Sequence, residues 1–270
     1  MPELPEVETI VRGLAAVLPG RQVDHVEVRD PRLRGGVAPD FASRLTARRI
    51  ERVDRRGKYV LMRLDDGHVW VAHLGMTGRL TLAAPDAAPA RHDHVVISFV
   101  GGPCVVYNDP RRFGRMAVIE AAQVAAEAGT GVDPMAASFT PEVLIALRRG
   151  RRTSIKALLM DQRRIAGLGN IYVNEALFRA GVRPGRRAAG LSRAECVRIV
   201  RATRAVLAAA IRGGGSSIND YRDALGQSGW FQLRHRVYDR AGLPCRRCQT
   251  AVRMRVIVGR SSFYCPRCQR

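Results

Sequence analysis

Four cysteines close to the carboxyl end of the printed sequence place the strongest constraint on how this chain folds. They are spaced as Cys245-x2-Cys248 and Cys265-x2-Cys268, with sixteen residues between the two pairs. This spacing is typical of one zinc ion held by four thiolates, and a disulfide framework is the alternative. Because the chain begins without a secretory signal, we expect the reducing cytosol, where thiols stay free. The other two cysteines, Cys104 and Cys196, lie in apolar and helical stretches and are predicted core residues.

The net charge indicates what the chain binds. Its 45 cationic and 24 acidic residues give a formal charge of +21, which points to a polyanion, with nucleic acid as the first candidate. An anionic membrane surface fits less well, because the basic residues are spread along the whole chain and no apolar run reaches the roughly 18 residues of a membrane span. The remaining alternative is a solvated basic surface in an arginine-rich proteome.

Lysine is rare among the cationic residues. Two of the 45 are lysines, Lys58 and Lys156, and the other 43 are arginines. Lysine is a compact charge that can release a proton, whereas arginine stays charged and presents a planar fork. The two lysines are therefore candidate functional residues. The alternative for each is that it has been retained by chance in a chain whose other cationic residues are arginines.

The pattern of apolar residues predicts an α+β protein with two main parts. Residues 6–18 have helical spacing, and the next hundred residues contain many short strand-like runs, which is typical of a β-sandwich or barrel. Helices follow, one predicted from Thr140-Pro141 and another from the capping box Ser192-x-x-Glu195. The stretch 121–138 is a predicted linker. We assign the domains as 1–120, 132–230 and 235–270.

The second residue has unusual chemical potential. Removal of Met1 would expose a secondary amine on Pro2, with Glu3 beside it as a general acid or base. An α-amino group has a pKa near 8, so far more of it is unprotonated at neutral pH than of a lysine side chain. Such an amine can attack a carbonyl-like carbon. Taken alone, an ordinary helix-capping terminus is the simpler interpretation.

A series of motifs along the whole chain changes that interpretation. In order, they are MPELPEVET at the start, GKY at 57–59, HLGMTG at 73–78, NDPRRFG at 108–114, GLGNIY at 167–172, VYDRAGLPC at 237–245 and GRSSFYCPRC at 259–268. The ordered set closely resembles the bacterial formamidopyrimidine-DNA glycosylase family. The resemblance implies an N-terminal helix and β-sandwich domain, a helix-two-turn-helix domain and a zinc-finger β-hairpin.

The resemblance also implies an activity. Members of this family are bifunctional DNA glycosylases and abasic-site lyases that excise oxidised purines, chiefly 8-oxoguanine and formamidopyrimidines. In that scheme Pro2 is the nucleophile that forms a Schiff base with the sugar, and β,δ-elimination then cuts the strand. Glu3 matches the essential acid, Glu6 a further acid near the site, and Lys58 the catalytic lysine.

Further residues match the family's DNA contacts. An extruded nucleotide leaves a gap in the duplex that side chains must fill. Residues matched to gap filling or to DNA contact are Met76, His92, Arg111, Phe113, Arg151, Lys156 and Asn170. Arg260 lies at the turn of the zinc hairpin and matches a phosphate clamp, for which a bidentate guanidinium is suited. The zinc ion is then structural, since four thiolates leave no open position.

Residues 213–229 match the family's lesion-covering loop. Many relatives carry an arginine where this chain has Asn219, so we assign no site residue in this loop. The partner that the resemblance implies is double-stranded DNA with oxidised bases or abasic sites. We expect a monomer in the bacterial cytosol, associated with the nucleoid.

Two alternatives remain from the sequence. An endonuclease VIII-like glycosylase for oxidised pyrimidines shares the Pro-Glu start and the zinc hairpin, but ELPEVET and DPRRFG argue against it. A DNA-binding zinc protein without catalysis is the second alternative. The presence of Pro2, Glu3 and Lys58 argues against that loss.

Overall fold

The structure is a computed structural model that describes residues 2–218 and 221–270. The chain divides into two compact units. The first contains the described parts of 1–128 and 213–230, and the second contains 129–212 and 231–270. Each unit has its own secondary structure and its own hydrophobic cluster.

The first unit contains two four-stranded antiparallel sheets in the part of the chain that the structure describes. One sheet has the order β2-β3-β4-β8 and the other β1-β6-β7-β5. The strands are β1 (Val23–Val28), β2 (Ile50–Arg56), β3 (Tyr59–Leu64), β4 (His68–His73), β5 (Arg79–Ala83), β6 (Asp93–Phe99), β7 (Cys104–Asn108) and β8 (Arg115–Glu120). The short helix α2 (Phe41–Leu45) lies between β1 and β2 in the chain, and the short helix α3 (Val124–Ala128) follows β8.

One core joins the two sheets, which confirms the predicted sandwich. Both sheets contribute buried side chains to the same cluster, including Trp70 from β4 and Tyr107 from β7, neither of which is exposed. Helix α1 (Leu4–Ala15) adds Val7, Ile10 and Leu14 to this cluster, at the i, i+3, i+7 spacing of one helix face. The α1 helix therefore covers the sandwich and fixes the amino end of the chain to it.

The second unit begins with helices whose starts are set by capping side chains. They are α4 (Pro141–Arg148), α5 (Ile155–Met160), α6 (Asn170–Ala180) and α7 (Arg193–Arg212). The Thr140 and Ser154 hydroxyls accept backbone N–H groups of α4 and α5, and Ser192 and Glu195 form the predicted capping box. Helix α6 ends at Gly181, whose φ of 74° is the left-handed conformation that favours glycine.

The last segment forms an antiparallel hairpin of β9 (Arg253–Ile257) and β10 (Arg260–Tyr264). Cys245 and Cys265 are buried in a small cluster with Val237 and with Phe178 of α6. The hairpin and the cysteine segment are thus packed onto the helices of the second unit.

Over the residues that it describes, the structure resolves the strand-like runs of the first unit into eight strands and adds the short helix α2, which the sequence patterns did not predict. It also places two segments differently from the expected organisation. The predicted linker 121–138 contains α3, and residues 213–230, which we assigned to the helical domain, pack with the first unit. The loop position Asn219 lies outside the described residues. Within the described residues, no helix combines the length and the apolar character needed to cross a membrane.

Candidate functional site

The amino end of the chain is buried and held by carboxylates. Pro2 is buried, and Glu3 is 3% exposed at the N-cap of α1. The Glu6 carboxylate accepts the backbone N–H of Glu3 at 2.8 Å and that of Ser216 at 2.7 Å. Because Glu6 is itself only 1% exposed, it acts as a rigid link between the start of α1 and the base of the loop that begins at Gly213.

A second link joins α1 to the turn that carries Lys58. The Arg55 guanidinium donates to Glu8 on α1 at 2.9 Å and to the carbonyl of Gly57 at 3.1 Å. Burial raises the pKa of Glu8, but hydrogen bonds from Arg55 and Arg12 outweigh this, and the net pKa is lowered. Glu8 is therefore ionised at neutral pH, and its ion pair with Arg55 holds the turn between β2 and β3 against α1.

The positive charge of Lys58 acts on His73, the last residue of β4. Burial, together with the positive charges of Lys58 and Arg34, lowers the pKa of His73 to about 4. The neutral imidazole can then accept, and its Nδ1 receives the backbone N–H of Gly75 at 3.1 Å. Lys58 is 8% exposed, so this is a charge close to the interior and not a solvated surface group. His73 in turn fixes the start of the loop that bears Met76.

A fully buried carboxylate, Asp109, organises two loops. One Asp109 oxygen accepts the Thr77 hydroxyl at 2.5 Å, and the other accepts the Gly114 N–H at 2.8 Å and the Tyr107 hydroxyl at 3.1 Å. The backbone N–H of Arg111 lies 3.3 Å from the first oxygen. The loops before β5 and before β8 are therefore tied to one another through this residue.

These two loops carry the predicted gap-filling side chains. Met76 is 43% exposed and Phe113 is 41% exposed, so both large apolar side chains are accessible at the surface. The Arg111 guanidinium lies over the Phe113 ring, 4.4 Å from its centroid. A Cβ atom at Gly75 would overlap the Phe113 carbonyl, so only glycine permits the two loops to approach this closely. The structure therefore brings Met76, Arg111 and Phe113 into one exposed group, which we call the wedge cluster.

His92 lies at the edge of the same region. Its carbonyl accepts the backbone N–H of Asp109 at 3.1 Å, and its φ of 72° marks a left-handed turn. The neighbouring His94 is buried and lies with Nε2 2.8 Å from the carbonyl of Asp109. His92 is thus adjacent to the wedge cluster through its backbone, whereas His94 is a structural residue.

In the second unit, a turn leads into α6, which begins at Asn170. Gln162 accepts the N–H of Gly167 at 2.8 Å and donates to the carbonyl of Leu168 at 2.7 Å, which fixes the turn before Asn170. The first N–H groups of a helix have no partner within it and favour an anion. Asn170 is the first residue of α6, and Arg151 is exposed in the segment that links α4 to α5.

The structure gives Lys156 a role that its sequence position did not suggest. Its side chain is 1% exposed, and Nζ donates to the carbonyl of Ser261 at 2.7 Å and to the hydroxyl of Ser262 at 2.6 Å. Asn174 of α6 accepts the backbone N–H of Phe263 at 2.9 Å. Lys156 and Asn174 therefore hold β10 by hydrogen bonds at the residues that follow Arg260. Arg260 itself is exposed at the first position of that strand.

The four cysteine thiols lie together as a tetrahedral metal site requires. Their sulfur atoms all lie within 4.8 Å of one another, and three of the separations are 3.4, 3.5 and 3.9 Å. Sulfur atoms 2.3 Å from a tetrahedral zinc ion lie about 3.8 Å apart. The four residues, Cys245, Cys248, Cys265 and Cys268, therefore fit one zinc ion, and no open coordination position remains for a substrate. The sequence predicted this zinc site, and the fit confirms it.

Comparisons with known proteins agree over the whole chain. The model of the formamidopyrimidine-DNA glycosylase N-terminal domain matches residues 1–116, that of the H2TH domain of the same enzyme matches 130–222, and a zinc finger found in FPG and IleRS matches 242–270. A formamidopyrimidine-DNA glycosylase of Cereibacter sphaeroides is 48% identical over 285 residues, which cover all of both chains.

Solved structures give the same result. The complex of Lactococcus lactis Fpg with DNA containing an abasic site matches with a TM-score of 0.91 and 33% identity, over 99% of both chains. The complex of Lactococcus lactis FPG (MutM) with DNA containing Fapy-dG has a TM-score of 0.90 and 32% identity, over 99% of this chain and 100% of that one. The family models, the full-length identity and the fold together establish that this chain belongs to the formamidopyrimidine-DNA glycosylase family.

Proposed function

We propose that this protein is a base excision repair enzyme that removes oxidised purines from duplex DNA and then cleaves the resulting abasic site. The observation that supports this most strongly is the wedge cluster of Met76, Arg111 and Phe113. An enzyme that acts on a base must extrude the nucleotide, and exposed apolar and planar side chains can occupy the gap. The complexes of the Lactococcus lactis relatives contain an abasic site or Fapy-dG, which are the lesion classes proposed here.

Catalysis is assigned to the buried amino end of the first unit. Once Met1 is removed, the Pro2 nitrogen is a secondary amine that attacks C1′ of the damaged nucleotide as the base departs. The base leaves with the electrons of its bond to C1′, and the proline nitrogen loses its proton. When the bond between C1′ and the ring oxygen then breaks, an iminium Schiff base remains, which has no N–H to lose, stays cationic and acts as an electron sink for β- and δ-elimination. Glu3 donates the proton to the sugar ring oxygen as the ring opens. Glu6 holds the Glu3 backbone in place.

Lys58 is assigned to the damaged nucleotide and its phosphate. Its low exposure and its effect on the pKa of His73 support a charge that acts in a partly desolvated environment. An ammonium group in such a place interacts more strongly with a developing negative charge than a surface lysine does. We therefore assign to Lys58 the stabilisation of charge on the departing base.

The phosphate contacts are assigned to both units. His92 and Arg111 belong to the first, and Arg151, Asn170 and Arg260 to the second. Arg260 is exposed on a hairpin that is held by Lys156 and Asn174, so its guanidinium is presented from a rigid support. Zinc, when bound by the four cysteines, keeps the hairpin folded.

The protein acts as a monomer in the cytosol in this proposal. All six cysteines are free thiols in the structure, which fits a reducing compartment. Nothing in the proposed reaction requires a second copy of the chain, since the nucleophile, the wedge cluster and the phosphate contacts all come from one chain.

A comparison of two lesions tests the proposal. Incision should be measured on matched duplexes that contain one 8-oxoguanine or one thymine glycol at the same position. We expect incision of the 8-oxoguanine strand to be at least tenfold faster. Faster incision at thymine glycol would support a pyrimidine-specific glycosylase instead, and tight binding without incision of either duplex would support a DNA-binding protein without catalysis.

A further inference from the structure

The second unit contains a cavity that the proposed reaction does not use. Its volume is about 850 Å³, and it is formed by the carboxyl-terminal half of α6, by α7, and by the segments around Phe231 and Cys245. Five arginines line it, namely Arg179, Arg234, Arg236, Arg246 and Arg247. We call it the arginine cavity. Its volume lies within the range of about 300–1,000 Å³ that is usual for ligand sites.

The arginine cavity has a surplus of positive charge. All five arginines are exposed, and among the described residues none of them lies within ion-pair distance of a carboxylate. Glu175 is the one acidic residue in the lining, and its carboxylate already accepts the backbone N–H groups of Arg236, Val237 and Tyr238 at 2.8–3.0 Å. The lining therefore favours an anionic occupant.

The floor of the arginine cavity is apolar. Phe178, Val206 and Phe231 are each less than a tenth exposed, and Ala205 and Ala209 are small, half-buried residues on α7. The Arg247 guanidinium lies 5.3 Å from the centroid of the Phe178 ring, and Phe231 packs against Tyr172 and His235. The two rings are therefore largely covered and do not offer open faces on which nucleic-acid bases stack, which leaves Ala205 and Ala209 as the accessible apolar positions. The floor instead suits the end of an aliphatic or aromatic side chain.

The arginine cavity is separate from the proposed phosphate contact on the same helix. Arg179 comes nine residues after Asn170 in α6, which places it about 14 Å farther along the helix axis. Duplex DNA would also present only phosphates to this surface and would leave the apolar floor without a partner. The charge and the floor together describe a site for an acidic chain that also carries an apolar side chain.

We propose that the arginine cavity is a docking site for an acidic peptide segment of a partner protein, anchored by one or two apolar side chains. The carboxylates of the peptide pair with the five arginines, and the apolar side chain lies against Ala205 and Ala209 of α7, the half-buried apolar residues of the lining. This interaction goes beyond the proposed enzymatic function and does not depend on it. Pairs between exposed charges are individually weak, so we expect micromolar affinity.

Fluorescence anisotropy with a defined probe tests the proposal. The probe is a labelled decapeptide of aspartate and glutamate with two central leucines, titrated with the full-length, zinc-loaded protein at about 0.15 M salt, where screening suppresses distant charge effects. A second peptide replaces both leucines with serine. We expect micromolar binding of the leucine peptide and binding at least fivefold weaker for the serine peptide.

Variants locate the site. R246E/R247E and R179E/R234E each reverse two charges of the lining, and the second pair is distant in sequence from the cysteines. R187E/R201E is the matched control, because it makes the same change in net charge at exposed arginines outside the lining. We expect at least tenfold weaker binding for both cavity variants, less than twofold change for the control, and incision of 8-oxoguanine duplex within twofold of the parent protein for all three.

Three results would overturn the proposal. An equal loss of peptide affinity in all three variants would show that binding depends only on the overall charge of the protein. Equal binding of the leucine and serine peptides would show that no apolar side chain anchors the peptide. If the cavity variants lost duplex DNA binding as strongly as peptide binding, the arginines would belong to the nucleic-acid footprint. Zinc content of R246E/R247E verifies that the cysteine site remains formed.

Discussion

Lys156 is a buried cation whose position suggests an indirect role in DNA binding. Its ammonium group donates to Ser261 and Ser262, and the Ser262 hydroxyl in turn donates to the carbonyl of Arg260. The match to the family predicts that Lys156 contacts DNA directly, and that prediction stays open. The contacts favour a positioning residue that acts through Arg260.

A double-mutant cycle separates these two roles. Lys156→Ala and Arg260→Ala should each weaken binding of a duplex with an abasic-site analogue, and the double variant should be no weaker than Arg260→Ala. Residues that act through one another show coupling of about 0.5–3 kcal/mol. Kd values of the four proteins give this coupling, with zinc content as the check on folding. Additive losses would mean that Lys156 contacts DNA independently.

His73 makes stability depend on pH. Its pKa in the folded protein is about 4, below the ordinary value near 6.5, because burial and the charges of Lys58 and Arg34 disfavour the imidazolium ion. As pH falls through about 6.5, the unfolded chain takes up the proton first, so stability is lost between about pH 6.5 and 4. The slope approaches about 1.4 kcal/mol per pH unit for one such group.

Removal of this histidine should flatten the pH dependence. The apparent free energy of unfolding in urea, followed by tryptophan fluorescence at pH 7, 6 and 5, should fall less steeply for His73→Gln than for the parent protein. His235, whose pKa burial and Arg246 also lower to about 4, should retain a part of the slope. His25→Gln, at an exposed position, is the control. An identical slope in the parent and the His73 variant would show that His73 is not buried in its neutral form.

At the scale of elements, local signals predicted helices better than strands. Thr140 and the Ser192–Glu195 box were predicted to begin helices, and both cap them through contacts over three residues. Ser154 caps α5 in the same way, although that start was not predicted. Strand β5 pairs with β7, which is not its neighbour in the chain. Strand β2 forms a hairpin with the adjacent β3, but it carries exposed charged residues that hide its alternation. The cysteine spacing, in contrast, identified the zinc site. The family motifs selected Met76, Arg111 and Phe113, and their gap-filling role stays a prediction.

The support of the wedge cluster was not predictable from sequence. The motif NDPRRFG shows that Asp109 is present but not that it is fully buried and accepts from Thr77, 32 residues earlier in the chain. The link from Glu6 to Ser216 spans 210 residues and is equally invisible in sequence. Such long-range hydrogen bonds depend on the packing of the whole unit.

Asp109→Asn tests whether this support matters for nucleotide extrusion. An amide cannot accept all the donors that converge on the carboxylate, so the two loops should lose their fixed relative position. We expect excision of 8-oxoguanine from duplex DNA to fall at least tenfold, with a much smaller loss for cleavage of an abasic site in single-stranded DNA, where no base pair is opened. Incision rates on both substrates provide the measurement.

The control for this comparison is Asp86→Asn, at an exposed position of the same unit. It should leave both rates within twofold of the parent protein. An equal loss by Asp109→Asn on both substrates would indicate general misfolding of the unit, and the proposed role in extrusion would be wrong.

At the scale of the whole molecule, the charge of +21 predicts strong dependence of DNA binding on salt. Each phosphate that the protein neutralises contributes a slope of about −0.9 in log K against log salt. Four or more phosphate contacts are proposed, so the slope should be about −4 or steeper for duplex DNA. Titrations between about 0.05 and 0.3 M salt give this slope, and a value shallower than about −2 would contradict the proposed contacts.

The central claim is that the Pro2 nitrogen is the nucleophile, and borohydride trapping followed by peptide mapping tests it most directly. The protein is incubated with an 8-oxoguanine duplex and borohydride, which reduces the Schiff base to a stable amine, and the modified peptide is identified by mass spectrometry. We predict that the adduct lies on Pro2 and that a form with Met1 retained, in which this nitrogen is an amide, binds the duplex but traps none. An adduct on Lys58 or Lys156, or trapping by the form that retains Met1, would contradict the account.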